Sequence, residues 1–105
     1  MFHESAPPNP PQNVVVIDIK ENTAHLRWNK PLYAEYFTVS HYKVMLKKHG
    51  DTFNWWNEAE PGSNQLDCPL KNLHDKTGYK VKVFARSGKR LGVESEQQEF
   101  ITKGE

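Results

Sequence analysis

Strict alternation of apolar and polar side chains constrains this chain more than any other feature of its sequence. From Tyr79 to Arg86 the sequence reads YKVKVFAR, in which every second residue up to Ala85 is apolar. A two-residue period is the repeat of a β-strand that buries one face. Similar short stretches recur between turn residues, and no stretch shows the 3.6-residue period of a helix. The sequence therefore predicts an all-β protein.

The stretches predict seven antiparallel strands packed as a two-sheet sandwich. They cover residues 14–19, 23–28, 42–47, a short strand around residues 55–56, 66–70, 79–85 and 93–102. Pro69 lacks an amide hydrogen for the ladder, so the fifth strand is expected at a sheet edge. Residues 87–92, which include Gly88 and Gly92, are expected to form a mobile loop before the last strand.

The first twelve residues differ in composition from the rest of the chain. They contain four prolines, which favour extended, linker-like conformations. A total of 105 residues suffices for one core. We therefore expect residues 1–12 to form a lead-in and residues 13–103 to form a single domain.

Aromatic residues at inward positions predict the core. Trp28 and Tyr42 lie on the inward side of their strands, and Tyr79 follows a turn that contains Leu73. A Tyr in that place can bury its ring while its hydroxyl bonds back to the backbone of the turn. Cys68 shares the inward side of its strand and is interpreted as a small buried hydrophobic residue rather than a reactive thiol.

The adjacent residues Trp55 and Trp56 cannot both face the core, because neighbouring strand residues point to opposite sides. The turn that follows favours Trp56 as the inward residue. Trp55 is then expected beside the outer side of the third strand.

The chain resembles a fibronectin type III domain. The resemblance covers residues 11–102, and the matching residues are Pro11, Asn13, Val16, Ile19, Leu26, Arg27, Trp28, Pro31, Val39, Tyr42, Val44, Trp56, Leu70, Leu73, Thr77, Tyr79, Val81, Val83 and Ala85. One departure is Asp75-Lys76, where the family usually has Pro-Gly; Asp is also a turn former. The resemblance implies an immunoglobulin-like topology in which the third and sixth strands are neighbours.

Residues that carry catalysis or hold metals do not cluster in the sequence. The five histidines are scattered, and the single cysteine has no partner at metal-ligand spacing. We therefore expect no catalytic, cofactor or metal site. A net charge of +1 gives no overall field for nucleic acid, and no apolar run approaches the length of a membrane span.

The outward side of the third and sixth strands is the candidate binding surface. Two apolar residues, Met45 and Phe84, stand there among the cations Lys43, Lys47, Lys80, Lys82 and Arg86. Scattered exposed hydrophobic residues are common and need no function. Alternatively, this side docks a protein, with the apolar pair as its centre and the cations as its rim. A third interpretation is a sulfated polysaccharide bound by these cations together with Lys48, Lys89 and Arg90; Glu94, Glu96 and Glu99 would weaken that binding.

The connection between the second and third strands carries Leu32, Tyr33, Tyr36 and Phe37. Capping of the core is the favoured interpretation, and a binding role for Tyr33 and Tyr36 is the alternative, since aromatic residues are enriched at interface centres.

Taken together, the resemblance implies a structural and protein-interaction module of a multidomain receptor or adhesion protein, at the cell surface or outside the cell. Its partners would be a protein or neighbouring domains of the same chain. A spacer role in an intracellular scaffold, muscle or regulatory protein is the alternative.

Overall fold

Two antiparallel sheets form a β-sandwich in the computed structural model, which describes residues 7–50 and 55–104. The first sheet has the order β1–β2–β5, with β1 at Gln12–Ile17, β2 at Ala24–Asn29 and β5 at Asp67–Leu70. The second has the order β4–β3–β6–β7, and β8 also pairs with β6. Its strands are β3 (His41–Lys48), β4 (Trp56–Ala59), β6 (Gly78–Ser87), β7 (Arg90–Leu91) and β8 (Gln98–Ile101). The predicted all-β, two-sheet class is confirmed.

The described residues contain eight strands rather than seven, because a short strand, β7, lies where a loop is predicted; of the last predicted strand, residues 93–102, only β8 at Gln98–Ile101 is regular. Gly88 adopts a left-handed φ of 60°, which allows a tight hairpin from β6 into β7 inside the segment predicted as a mobile loop. Further on, the hydroxyl of Ser95 accepts a hydrogen bond from the amide of Val83 at 2.9 Å. A side chain thus replaces a ladder carbonyl, and regular pairing with β6 returns only at Gln98.

Alternation places the predicted aromatic residues in the core. Trp28 and Tyr79 are each 2% exposed, and Tyr42 is 1% exposed. The ring of Trp28 meets that of Tyr42 edge-on with centroids 5.3 Å apart, and Tyr79 stacks on Phe100 at 5.6 Å. Burial of one large apolar side chain contributes about 1.5–3 kcal/mol, so these residues dominate the stability of the sandwich.

The turn before β6 is fastened by side-chain hydrogen bonds. The hydroxyl of Tyr79 accepts a hydrogen bond from the amide of His74 at 2.8 Å, as the sequence predicts. Leu73 is buried in the same corner. Thr102 Oγ1 accepts from the amide of Thr77 at 2.9 Å and donates to the carbonyl of His74 at 2.6 Å. The corner is therefore tied both to its own strand and to the chain after β8.

The segment before β1 packs against the sandwich from Pro8 onward. Pro8 and Pro11 are buried, the amide of Val93 donates to the carbonyl of Pro8 at 3.0 Å, and Asn9 Nδ2 donates to the carbonyl of Leu32 at 2.8 Å. Residues 1–6 of the predicted lead-in lie outside the described residues. The predicted domain boundary stays a prediction.

The edge position of β5 agrees with its proline. Pro69 is exposed on the outer strand of the first sheet, where a missing ladder donor costs little. Its neighbour Cys68 is buried at 3% exposure. Burial, followed by the negative charges of Glu58 and Asp67, raises the pKa of the Cys68 thiol to about 11. The thiol therefore stays protonated near neutral pH and behaves as a small apolar group.

Candidate functional site

Strands β3 and β6 pair along the whole length of β3 and present one continuous outer surface. Lys43 lies opposite Phe84, Met45 opposite Lys82 and Lys47 opposite Lys80. Directly opposed residues point to the same side of a sheet. The predicted binding residues are thus brought together, and we call this surface the β3–β6 face. It comprises Lys43, Met45, Lys47, Lys80, Lys82, Phe84 and Arg86.

The apolar pair of the β3–β6 face lies on a diagonal between the two strands. Met45 and Phe84 are offset by two positions in the register, close enough for long side chains to meet. Both side chains are half-buried rather than fully exposed. The centre of this face is therefore apolar but partly covered by its neighbours.

Lys82 is the neighbour that covers it most. The Nζ atom of Lys82 lies 4.2 Å from the ring centroid of Trp55 and 5.5 Å from that of Phe84. The same atom lies 2.7 Å from a carboxylate oxygen of Glu94, and the Lys82 side chain is only 13% exposed. A cation over an aromatic ring contributes about 0.5–2 kcal/mol, more as water is excluded. Lys82 therefore serves as a packing element of the face rather than as a free charge.

Carboxylates also neutralise other cations of the β3–β6 face. The Nζ atom of Lys80 lies 3.4 Å from a carboxylate oxygen of Glu99, and the Nη1 atom of Arg86 lies 3.3 Å from one of Glu60. The pair with Glu99 offsets the like-charge contact that the register imposes between Lys80 and Lys47. The basic stripe in the sequence is thus interleaved with acidic groups in space.

Glu60 is the acidic residue with the most contacts at this face. Partial desolvation raises the pKa of its carboxyl, but the hydrogen bond from Asn57 and the charges of His41 and Arg86 outweigh it and hold the pKa below its usual value. Because Glu60 follows β4 in an irregular segment, no period in the sequence indicates that it meets Arg86.

Trp55 and Trp56 point to opposite sides of the second sheet, as predicted. Trp55 lies beside the β3–β6 face. The Nζ atom of Lys82 lies over its ring, and the Nζ atom of Lys47 lies 5.9 Å from the ring centroid. Trp56 pairs with the inward residue Leu46 but is 38% exposed. Trp56 is therefore on the predicted side of the sheet but is not buried, and β4 is an edge strand of its sheet.

The loop after β2 forms a second surface. Leu32, Tyr33 and Tyr36 are 58%, 64% and 80% exposed and do not cap the core. Phe37, the fourth residue of the loop named in the sequence, is half-buried. Tyr33 adopts a left-handed φ of 60° before a single 3-10 turn, Ala34–Tyr36. That conformation costs a non-glycine residue about 1–2 kcal/mol. The strained turn leaves both rings in solvent, with their centroids 6.3 Å apart.

No group of three or more potential ligands lies within reach of one metal ion in the part of the chain that the structure describes. A candidate pair on the first sheet, His25 with Asp67 at 2.8 Å, is a partly exposed surface contact. No helix over the described residues has the length and apolar character needed to cross a membrane.

Comparison with known proteins identifies the sandwich. A sequence model described as "Fibronectin type III domain" matches residues 9–101. The chain belongs to the fibronectin type III family. Domains of this family are non-catalytic modules, commonly structural or interacting units of multidomain proteins.

Solved structures of fibronectin type III domains superimpose on this one closely. Titin domains A168–A170 match with a TM-score of 0.81 and 26% identity, over 92% of this chain and 32% of that chain. A structure described as a myokine matches with a TM-score of 0.78 and 27% identity, over 92% of this chain and 99% of that one. Chicken CNTN1 FN1–FN3 domains match in fold, with a TM-score of 0.84 and 20% identity, over 96% of this chain and 34% of that chain. The chain thus spans about a third of the titin and CNTN1 fragments that it matches.

Proposed function

We propose that this fibronectin type III domain is a non-catalytic interaction module of a longer protein, and that it docks a protein partner through the β3–β6 face. The partner surface that fits is apolar at its centre and polar around it. Neighbouring domains of the same chain are a further class of partner.

The observation that carries the proposal is the composition of the β3–β6 face. Met45 and Phe84 form an apolar centre beside Trp55, and ion pairs surround it through Lys80, Lys82 and Arg86. Protein interfaces typically combine an apolar, aromatic-rich centre with a polar rim. Rim charges that are already paired are fixed in position, which lowers the entropy lost on docking.

Phe84→Ala in the longer protein tests the proposal. Loss of a central aromatic contact should weaken binding of the protein's partner by about 1 kcal/mol or more, roughly fivefold in Kd. Arg27→Ala is the matched control, since Arg27 is exposed on β2 of the other sheet. Denaturation of each variant checks that the domain stays folded. An unchanged Kd for a folded Phe84→Ala protein would mean that the β3–β6 face does not dock the partner.

A sulfated polysaccharide is the weaker alternative ligand. Binding to a polyanion depends on charges that are free to release counterions and meet sulfates. Carboxylates lie against Lys80, Lys82 and Arg86, which reduces the positive potential of the stripe. Retention on a heparin column beyond physiological salt would favour the polysaccharide over the protein partner.

We also propose a cell-surface or extracellular location, in a receptor or adhesion protein. Fibronectin type III domains occur in both extracellular and intracellular proteins, so the support for this location is the family resemblance alone. The complete sequence of the longer chain tests it. A secretory signal or a membrane span supports the proposal, whereas a spacer role in an intracellular scaffold, muscle or regulatory protein requires neither.

A further inference from the structure

Two tyrosine rings stand in solvent side by side in the loop after β2. Tyr33 and Tyr36 are 64% and 80% exposed. Their ring centroids lie 6.3 Å apart and the ring planes are tilted by 41°. The rings therefore do not cover each other in a parallel stack, and most of each aromatic surface is open to a ligand.

The backbone holds the two rings in this arrangement under strain. Tyr33 has a left-handed φ of 60°, and its carbonyl accepts a hydrogen bond from the amide of Tyr36 at 2.9 Å. A hydrogen bond from Asn9 Nδ2 to the carbonyl of Leu32, at 2.8 Å, fastens the start of the loop. Strained residues that are fixed by their surroundings are concentrated at binding and catalytic sites. The exposed pair is thus pre-organised, which lowers the entropy lost when a ligand binds.

The two rings line a groove that the chain's own prolines also line. The groove has a volume of ≈ 640 Å³ and is bordered by Tyr33, Tyr36, Pro7 and Pro8; we call it the tyrosine groove. Its size falls within the range of about 300–1,000 Å³ that is typical of ligand pockets. Pro8 is buried, and its carbonyl accepts a hydrogen bond from the amide of Val93 at 3.0 Å. Prolyl rings therefore already pack at the tyrosine groove.

The polar groups of the tyrosine groove are mainly hydrogen-bond donors. Hydroxyl groups come from the two tyrosines, Thr38 and Ser87, and Arg90 adds a guanidinium group. None of the described residues that line the groove is acidic. A proline-rich segment has the opposite character, since proline has no amide hydrogen and a polyproline II helix leaves its carbonyls free to accept. Aromatic rings with donors beside them complement such a segment.

We propose that the tyrosine groove binds a proline-rich segment of another protein in the polyproline II conformation. Prolyl rings of that segment pack against Tyr33 and Tyr36, and its carbonyls accept hydrogen bonds from the hydroxyl groups and from Arg90. Aromatic-lined grooves recognise polyproline II segments in this way because the ligand is already extended and loses little entropy on binding. The inference goes beyond docking at the β3–β6 face and does not depend on it.

Titration of the 105-residue chain with a decaproline peptide tests the proposal, followed by NMR of the backbone amides. We expect the amide resonances of Tyr33, Tyr36, Thr38 and Ser87 to shift and to saturate with a Kd below about 1 mM. A glycine-serine peptide of the same length is one control, since it is flexible and has no rings to pack. A decaglutamate peptide is the other, since it would bind through charge alone. Neither control should cause saturating shifts.

Variants of Tyr36 separate ring packing from other contributions. Tyr36→Ser removes the ring and should raise the Kd for decaproline at least fivefold, whereas Tyr36→Phe keeps the ring and should raise it less. Ile101→Ser is the control for loss of an exposed apolar side chain. Ile101 is 70% exposed and lies opposite Gly78, at the other end of β6 from Ser87. Its replacement should leave the Kd within about twofold of the original value.

Several results would overturn the proposal. The first is the lack of a saturating shift with decaproline, and the second is equal binding of decaglutamate. The third is an unchanged Kd for a Tyr36→Ser protein whose spectrum shows that it is folded. Shifts of the same resonances that grow with protein concentration and without peptide would mean that a second copy fills the groove. Phe84→Ala should bind decaproline with an unchanged Kd, so failure at either surface is distinguishable from failure at the other.

Discussion

The hydroxyl of Tyr79 shows how a single residue holds the sandwich together. Its ring is buried against Phe100, and its oxygen accepts the amide hydrogen of His74 in the turn before β6. Ring burial would be retained by any similar aromatic residue, whereas the hydrogen bond needs the hydroxyl. The two contributions can therefore be separated by one substitution.

Tyr79→Phe is expected to lower the free energy of unfolding by about 1–3 kcal/mol, the cost of leaving a partly buried amide without its acceptor. Chemical denaturation followed by tryptophan fluorescence measures the change. Tyr36→Phe is the control, since Tyr36 is largely exposed and should change stability by less than about 0.5 kcal/mol. Equal effects of the two substitutions would mean that the corner hydrogen bond contributes nothing.

Cys68 predicts a dependence of stability on alkaline pH. Its pKa is raised to about 11 in the folded state, so the folded protein holds the thiol proton more tightly than the unfolded chain, where the pKa is about 9. Stability from this group is complete below pH 9 and is lost as the pH rises toward 11, by roughly 2–3 kcal/mol. Denaturation at each pH should show the stability difference between the protein and Cys68→Ala shrinking across that window. A constant difference would contradict the assignment.

At the residue scale the sequence predicts the core well. Trp28, Tyr42, Leu73 and Tyr79 are all buried as expected, because two-residue alternation specifies which side of a strand each residue occupies. Trp56 shows the limit of this reasoning. Its side of the strand follows from alternation, but its burial depends on whether the opposite sheet reaches that far, which no local pattern encodes.

At the scale of the elements, the segment after β7 is held between β6 and the N-terminal segment. A Cβ atom on Gly92 would lie 2.6 Å from the carbonyl oxygen of Pro8 and 2.7 Å from that of Ala85. Both neighbours are backbone atoms, which cannot rotate away. Gly92 is therefore required by close packing of chain segments.

Gly92→Ala is expected to destabilise the domain by about 1–3 kcal/mol, since the backbone must shift to admit the methyl group. Gly62→Ala is the matched control, because a Cβ atom there meets nothing within 4 Å. Thermal denaturation of both variants provides the measurement. A Gly92→Ala protein as stable as Gly62→Ala would show that the N-terminal segment is not packed against this strand.

The sequence predicts the positions of the elements where hydrogen bonds are regular and fails where they are not. The edge position of β5 follows from Pro69 alone. The irregular segment between β7 and β8 cannot be predicted from the sequence. It depends on the hydroxyl of Ser95 accepting a hydrogen bond in place of a backbone carbonyl, and many serines make no such bond. The exposed loop after β2 is missed for a similar reason, since the left-handed conformation of Tyr33 is unusual for an aromatic residue.

For the whole molecule, the interior is occupied by structural side chains, so function is expected on the outside. The β3–β6 face is the surface that we propose docks a partner. Alternation and the family resemblance together predict that Met45 and Phe84 share one face. Glu94 and Glu99 are expected near its cations from the sequence and pair with Lys82 and Lys80. The pairing of Arg86 with Glu60 is a property of the folded chain, since Glu60 comes from an irregular segment remote in sequence.

Hydroxyl-radical labelling of the longer protein, alone and bound to its partner, tests the central claim most directly. Met45 and Phe84 on the β3–β6 face and Trp55 beside it are half-buried, and sulfur and aromatic groups react readily with the radical. We expect labelling of these three residues to fall when the partner binds, while Val15 on β1 of the opposite sheet keeps its rate. Protection of Val15 with unchanged labelling of Met45 and Phe84 would contradict the claim that the β3–β6 face is the docking surface.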